Sequence, residues 1–497
     1  MIIKREKSQF ESYLEDTSNI KGEAEALFIP NDYKEVSDVL KQAGVSKTPV
    51  TISGSGTGTT GGRVPLKGSI LSLEKLDKII KIDPVKKEAA AQAGVTLESL
   101  EKELNKLNFT FRASPTEPLA CLGGVISTCA SGPKSFKYSS VRDYVKEIKV
   151  VLSDGKLLKI RRGEIQASGR IFDFKIRSKH FKFSLPAYTS PEIKSSAGYY
   201  VKDNMDLIDL FIGQEGTLGC IVEAVLEVQP LPLDYFDFLA FFIRDSDALD
   251  FVEEVKGLKH KGGFFPCALE FFDNNSLEFL RKEYTFLPRS HSAVFLEQEI
   301  ELPEQQDKVL DYWCGLIEKH NSSIDKCWFA EDYNNRKKLY EFRHCLPQKI
   351  NEFLKSYHQE KTATDIAVPD ESFREMYGFY EETARKSGID YVNFGHIGQN
   401  HLHFNFLPKT REESFKAKGY IMEFVEKAIS LKGTISAEHG IGKIKRPYLE
   451  IMYGKKHLKE MAGIKKIFDK SCVLGLDNIF SKELLNRENA VESTKCS

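Results

Sequence analysis

The chain has no Cys-x-x-Cys pair: its nine cysteines are scattered over 497 residues, which argues against a disulfide framework, a zinc ribbon or an iron–sulfur ferredoxin segment. The thiols are expected to be buried or inert, and Cys121 and Cys129 are read as small residues of a glycine-rich region with no redox role. There is almost no net charge, −1 in all, so no nucleic-acid partner is expected. No apolar run reaches the roughly 18 residues of a membrane span, so no integral membrane segment is expected either. Residues 1–19 mix both signs of charge at Lys4, Arg5, Glu6, Lys7, Glu11, Glu15 and Asp16, which suits neither a secretory h-region nor an acid-poor transit peptide. The expectation is a cytoplasmic protein whose mature chain begins here, with peripheral membrane association left open. No internal repeat is evident.

What is present is enough apolar material, 41% of residues, for two or three full cores. A helix is predicted over residues 33–43, between strand-like runs at 49–52 and 69–73, so the first domain is of α+β or α/β type. Further strands are predicted at 145–152, before the turn Ser153-Asp154-Gly155, and at 221–228. Pro230-Leu231-Pro232 then marks a boundary. From residue 234 on, Phe- and Tyr-rich strands and amphipathic helices, as at 236–243 and 248–258, predict a separate substrate-binding domain. The polar residues 486–497 read as a loose tail. Residues 156–182 hold nine Lys or Arg against Glu164 and Asp173; a solvated hairpin is the favoured reading, contact with an anionic membrane or acidic partner the alternative.

Chemistry concentrates in Asn393-Phe394-Gly395-His396-Ile397-Gly398-Gln399-Asn400-His401-Leu402-His403-Phe404-Asn405 and in Ser436-Ala437-Glu438-His439-Gly440-Ile441-Gly442. Alternation over residues 401–406 predicts a strand with His401, His403 and Asn405 on one face and Leu402, Phe404 and Phe406 on the other. A turn at Gly398-Gln399-Asn400 lets His396 converge with His403. Histidines and a carboxylate in this density suit one divalent metal and one general base: His396, His403 and Glu438 as ligands, His439 as base. The competing reading is a polar strand face and an exposed loop.

A second concentration is glycine. Ser53-Gly54-Ser55-Gly56-Thr57-Gly58-Thr59-Thr60-Gly61-Gly62 follows a predicted strand and leaves backbone N–H groups and hydroxyls uncovered for a pyrophosphate. It lacks the Gly-Lys-Ser/Thr of a P-loop and the spacing of a Rossmann fingerprint. Cys121-Leu122-Gly123-Gly124-Val125-Ile126-Ser127-Thr128-Cys129-Ala130-Ser131-Gly132, preceded by Ser114-Pro115-Thr116, is a second such stretch, and Ile212-Gly213-Gln214-Glu215-Gly216-Thr217-Leu218-Gly219-Cys220-Ile221 a third. Together they suggest a long ligand, such as a dinucleotide, held through backbone.

These residues resemble the flavin-dependent D-2-hydroxy-acid dehydrogenases of the vanillyl-alcohol-oxidase fold, a group that includes D-lactate dehydrogenases, the flavin subunit of glycolate oxidase and D-2-hydroxyglutarate dehydrogenase. The resemblance runs from Phe28-Ile29-Pro30 to Asn478-Ile479-Phe480. It implies an α+β, two-domain flavoprotein: residues 1–230 an FAD-binding domain, 231–430 a ferredoxin-like-type cap with an antiparallel sheet and helices, and 431–485 a segment that returns to the FAD carrying Glu438 and His439. It implies FAD contacts at Ser53, Gly54, Ser55, Gly56, Thr57, Gly58, Pro115, Gly123, Gly124, Ser127, Gly216 and Ile221. The metal segment resembles the family's GHxGDGNLHxN, which implies His396, His403 and Glu438 as ligands of Zn2+ or Mn2+, His439 as base and Asn405 as a substrate contact. Arg343 falls at the substrate-carboxylate arginine, and Lys361 is a weaker second contact, its spacing to Asp365 differing from the hydroxyglutarate branch.

The departures are specific. Gln399-Asn400-His401 stands where the family has Asp-Gly-Asn, which adds an imidazole and removes a glycine, and Gly475-Leu476-Asp477-Asn478 stands where it has Asn-Pro-Gly-Lys, which removes an amide expected near the flavin. No histidine lies in the first glycine loop, so noncovalent FAD is expected. The implied reaction is metal-assisted oxidation of a D-2-hydroxy acid to the 2-oxo acid, with the hydride passed to flavin N5. No iron–sulfur or haem ligand set is present, so electrons are expected to leave to an external protein or quinone, with an oxidase using O2 and a homodimer left open. Two alternatives remain: a non-redox alkylglycerone-phosphate-synthase-type flavoenzyme, whose His-His-His run is Ala437-Glu438-His439 here, and a non-catalytic flavin or electron-transfer subunit.

Overall fold

The computed structural model describes residues 1–176, 179–261, 263–330 and 332–485; the predicted tail at 486–497 lies outside them. The described chain divides into two compact units, one made of residues 1–132, 140–230 and 436–485, the other of 133–139 and 231–435.

In the first unit the predicted helix is Tyr33–Ser46. Asp32 caps it, its carboxylate accepting from the Lys34 and Glu35 N–H groups at 2.8 and 3.0 Å, and Lys47 ends it in the left-handed conformation. Val36, Val39, Leu40 and Ala43 recur at helical spacing and are the residues it buries, against Val50, Leu71, Val151 and Val222. It connects Ala26–Ile29 to Val50–Ser53, and both strands run parallel to Ser69–Ser72 between them, the geometry that a helical crossover permits. A second, five-stranded antiparallel sheet has the order Ile79–Asp83, Glu88–Gln92, Cys220–Glu227, Val145–Val151, Leu157–Arg161. The basic stretch includes the hairpin Ile171–Ile176 with Lys179–Ser184; Phe172, Phe181 and Phe183 are buried, Phe181 and Phe183 packing on Phe468, while Asp173, Lys175, His180 and Lys182 are exposed. Eight described cysteines are free thiols, four of them buried.

The second unit is built on an eight-stranded antiparallel sheet in the order Trp328–Phe329, Asp234–Phe242, Ser292–Ile300, Ala268–Asp273, Tyr391–His396, His401–Phe406, Thr362–Ala363, with Ile366–Ala367 also paired to His401–Phe406. Helices cover both faces. Tyr333–Ser356 and Asn274–Leu280 place Leu339, Phe342, Leu346 and Leu277 on one, and Trp313, Phe251 and Tyr377 come from helices on the other, against Phe238, Phe242 and Phe271. All nine residues of Ser292–Ile300 are therefore buried, including Glu297 and Glu299. Residues 133–139 satisfy them: Lys134 lies 2.7 Å from Glu297 and Lys137 2.8 Å from Glu299.

Candidate active site

The second unit holds the histidine face. Tyr391–His396 and His401–Phe406 form a hairpin in which His396 pairs with His401 and Phe394 with His403. Cross-strand partners share a face, and residues two apart on a strand share one too, so the three imidazoles meet. Their ring centroids are 5.4 Å (His396 to His401), 5.5 Å (His396 to His403) and 4.5 Å (His401 to His403) apart. Gly395 is required here: its φ is +129°, and a Cβ there would lie 2.8 Å from the His403 ring.

The connecting turn is a short 3₁₀ segment, Ile397–Gln399, closed by Asn400 at φ +53°. Asparagine tolerates that conformation, so the missing glycine costs little. Its amide donates to Val368 O at 3.0 Å and to Asp370 Oδ1 at 2.7 Å, and accepts from Lys256 Nζ at 2.6 Å. Gln399 Nε2 donates to Ser135 O at 3.0 Å. Two of the three residues that depart from the related motif, Gln399 and Asn400, thus anchor the turn.

Behind the imidazoles stand two carboxylates. Glu270 Oε1 lies 2.9 Å from His396 Nδ1, and Asp365 Oδ1 lies 3.0 Å from His401 Nε2. Glu270 also holds Arg343 through Nε, on the helix Tyr333–Ser356. Pro347, which has no N–H, leaves the Arg343 carbonyl without its i+4 donor. Burial pushes the Glu270 carboxyl up, but the Arg343 guanidinium and His396 outweigh it and hold it well below the ordinary range. Asn405 is buried, its Nδ2 donating to His403 O at 2.8 Å while its Oδ1 has no hydrogen bond among the described residues. Lys361 is exposed as a residue, but desolvation lowers the pKa of its amine against the pull of Asp365.

The first unit holds the glycine loops and Glu438-His439. Arg63 braces the first loop, donating through one terminal nitrogen to Gly54 O at 3.0 Å and through Nε to Glu15 O at 2.9 Å. Gly54 and Ser55 line a cleft of about 500 Å³ with Tyr13, Thr96 and Cys121. Thr57 and Gly58 carbonyls accept from Thr17. Gly123, in the helix Leu122–Thr128, packs so closely on Ala93 that a Cβ would approach it to 2.7 Å; Gly124 lies beside Cys121, and Pro115 beside Gly132. Ser127 O accepts from Glu215 N at 2.8 Å, joining the second stretch to the third. Gly216 has φ +72° beside Ile52, and Ile221 pairs with Val150 in the sheet.

Glu215 fastens the last piece. Its carboxylate accepts from the N–H of Ile441 at 2.8 Å and of Gly442 at 2.6 Å; burial pushes its pKa up to about 7 against those two donors. Gly442 passes so near the first loop that a Cβ would sit 2.1 Å from Thr60 O. Asn478, in the segment expected to lack an amide, donates to Gly62 O at 2.8 Å and Glu215 O at 3.0 Å, so an amide does bridge the first and third stretches. Glu438 is paired with Lys194, Nζ to Oε2 2.6 Å, both side chains buried; His439 Nε2 lies 3.5 Å from Glu438 Oε1 and is about one-third exposed.

The structure thus brings His396, His401, His403, Arg343 and Asn405 together in one unit, and the glycine loops with Glu438 and His439 in the other. Glu270, Asp365, Glu215 and Lys194 are the partners that the sequence reading misses. A lone acid inside the apolar run Ala268-Leu269-Glu270-Phe271-Phe272 is the one signal for Glu270; Lys194 has none. Both donor sets fit their groups: the glycine backbone and hydroxyls lining the cleft at Gly54 and Ser55 suit a dinucleotide phosphate, and imidazoles backed by carboxylates suit a divalent ion.

Two family models match in chain order: the FAD binding domain over residues 24–161 and the C-terminal domain of FAD linked oxidases over 239–474. The chain is 27% identical to the glycolate oxidase subunit GlcD of Bacillus subtilis (strain 168), over 93% of this chain and 90% of that one. It is 28% identical to the D-lactate dehydrogenase of Archaeoglobus fulgidus, over 91% and 90%. Among solved structures, an alkyldihydroxyacetonephosphate synthase superposes with a TM-score of 0.68 at 16% identity, covering 95% of this chain and 83% of that one; the likeness is of fold alone.

Proposed function

This chain belongs to the FAD-linked D-2-hydroxy-acid dehydrogenase family, an α+β group of the vanillyl-alcohol-oxidase fold that oxidises CH–OH groups, and we propose that it converts a D-2-hydroxy acid to the 2-oxo acid with the help of a divalent metal. The observation that carries the metal is the meeting of three imidazoles on one face of a two-stranded hairpin, with Glu270 and Arg343 behind His396. In this reading FAD held by the glycine loops would supply the acceptor for the C2 hydride, and a divalent ion, Zn2+ or Mn2+, held by the histidine face would supply the charge that lowers the pKa of the substrate hydroxyl.

The rest is done by side chains. His396 and His403 hold the ion, and Glu438 is assigned as the third ligand. Arg343, its Nε fixed by Glu270, presents its two terminal nitrogens to the substrate carboxylate, the bidentate geometry that a guanidinium favours. Asn405 offers its Oδ1 to the substrate, and Lys361 is assigned a second, outer contact. His439 removes the hydroxyl proton, held in place by the backbone anchors that Ser196 gives to Gly440 and Glu215 gives to Ile441 and Gly442. Two electrons then leave to an external protein or quinone. No helix among the described residues is long and apolar enough to cross a membrane.

Removing the metal with a chelator is expected to lower turnover roughly 10²-fold or more, measured with a dye as electron acceptor, because hydroxyl acidification is lost. Adding back zinc or manganese restores it, and the flavin stays bound throughout. Full activity in chelator-treated, metal-free protein counts against the metal.

A further inference from the structure

We propose that His401, the imidazole this chain has where the related motif has asparagine, is itself a ligand, so that the ion is held by three histidines and the site selects zinc over manganese. The inference rests on the metal-assisted reading above and deepens it.

The hairpin register supports it first. His401 is the direct partner of His396 and lies two residues from His403, so one sheet face carries all three rings. One nitrogen from each lies within 4.8 Å of the others. Ligand nitrogens about 2.0–2.1 Å from a tetrahedral zinc stand roughly 3.4 Å apart, so small ring rotations close the set. Burial supports it second. His401 is completely inaccessible and stands against the other two rings, so its donor nitrogen faces a buried site that one ion can share with them.

The third support is the repeated carboxylate. Glu270 stands 2.9 Å from Nδ1 of His396 and Asp365 stands 3.0 Å from Nε2 of His401. A carboxylate behind one ring nitrogen fixes the ring and makes the other nitrogen a better donor, the arrangement found behind metal-bound histidines. It assigns Nε2 of His396 and Nδ1 of His401 to the ion. Three neutral nitrogens favour the later first-row ions such as zinc, while manganese prefers carboxylate and water oxygen.

The test is equilibrium dialysis of the FAD-loaded full chain, stripped of metal, against zinc and against manganese, with bound metal counted by mass spectrometry. His401→Asn keeps a polar group beside Asp365 and is expected to weaken zinc binding about 10–100-fold while changing manganese binding far less. X-ray absorption at the zinc edge of the unsubstituted protein is expected to count three imidazoles, and it decides the matter even where the variant fails to fold. Unchanged zinc affinity in His401→Asn, or a count of two imidazoles, overturns the inference and leaves the reading it rests on intact. If His396→Ala and His403→Ala also leave zinc binding unchanged, that reading falls with it.

Discussion

His439→Ala is expected to slow flavin reduction by a D-2-hydroxy acid roughly 10²–10⁴-fold, the usual worth of a positioned general base, while leaving FAD bound. The separation of the two effects follows from the loop. Its place against the glycine cradle is held by backbone: Ile441 and Gly442 donate to Glu215, Lys443 N donates to Thr60 O at 2.9 Å, and Gly440 N donates to Ser196 Oγ at 3.0 Å. None of these bonds involves the imidazole. Single-turnover reduction under anaerobic conditions, with flavin content measured on the same sample, checks it. Reduction at the unsubstituted rate removes His439 from the mechanism.

Arg343→Met is expected to act on binding and stability together. The substrate loses its carboxylate partner, and KM is expected to rise roughly 10²-fold or more, since charge-assisted bidentate pairs are among the strongest polar contacts. Glu270, buried with Arg343 at 5% and 10% side-chain exposure, loses its permanent cation and keeps only the His396 imidazole, at a cost of up to about 3–5 kcal/mol. Arg343→Lys separates the two roles. It keeps a cation for Glu270 and so regains most of the Tm, but an ammonium lacks the fork, and KM stays high. Steady-state kinetics and thermal melts of the two variants check this; a normal KM in either places the carboxylate elsewhere.

The local chemistry of the site was legible wherever it depends on neighbours in sequence. Alternation over His401-Leu402-His403-Phe404-Asn405-Phe406 fixes which face carries histidine, and it emerges as the strand His401–Phe406 with Leu402, Phe404 and Phe406 buried. Glycine density likewise marks three loops that do gather, linked through Ser127, Glu215 and Asn478. What stays hidden is the set of partners distant in the chain. Glu270 meets His396 because Ala268–Asp273 is the sheet neighbour of Tyr391–His396, and strand order is not written in local periodicity. Residues 133–139 join the second unit through partners far off in sequence: Lys134 and Lys137 reach Glu297 and Glu299, buried on a strand covered on both faces, and Ser135 holds Gln399. Arg343 shows the same limit: the family resemblance proposes it as the carboxylate binder, but gives no sign that Glu270 already holds its Nε.

The central claim is that a D-2-hydroxy acid delivers its C2 hydride to the bound flavin. Anaerobic titration of the purified holoprotein with D- and L-lactate, glycolate and D- and L-2-hydroxyglutarate, followed by flavin absorbance, tests it directly. The account predicts stoichiometric bleaching by at least one acid of the set, with the D form reactive and its L partner inert wherever the acid is chiral. A yellow protein that none of these acids bleaches, or one bleached equally by both enantiomers, contradicts it.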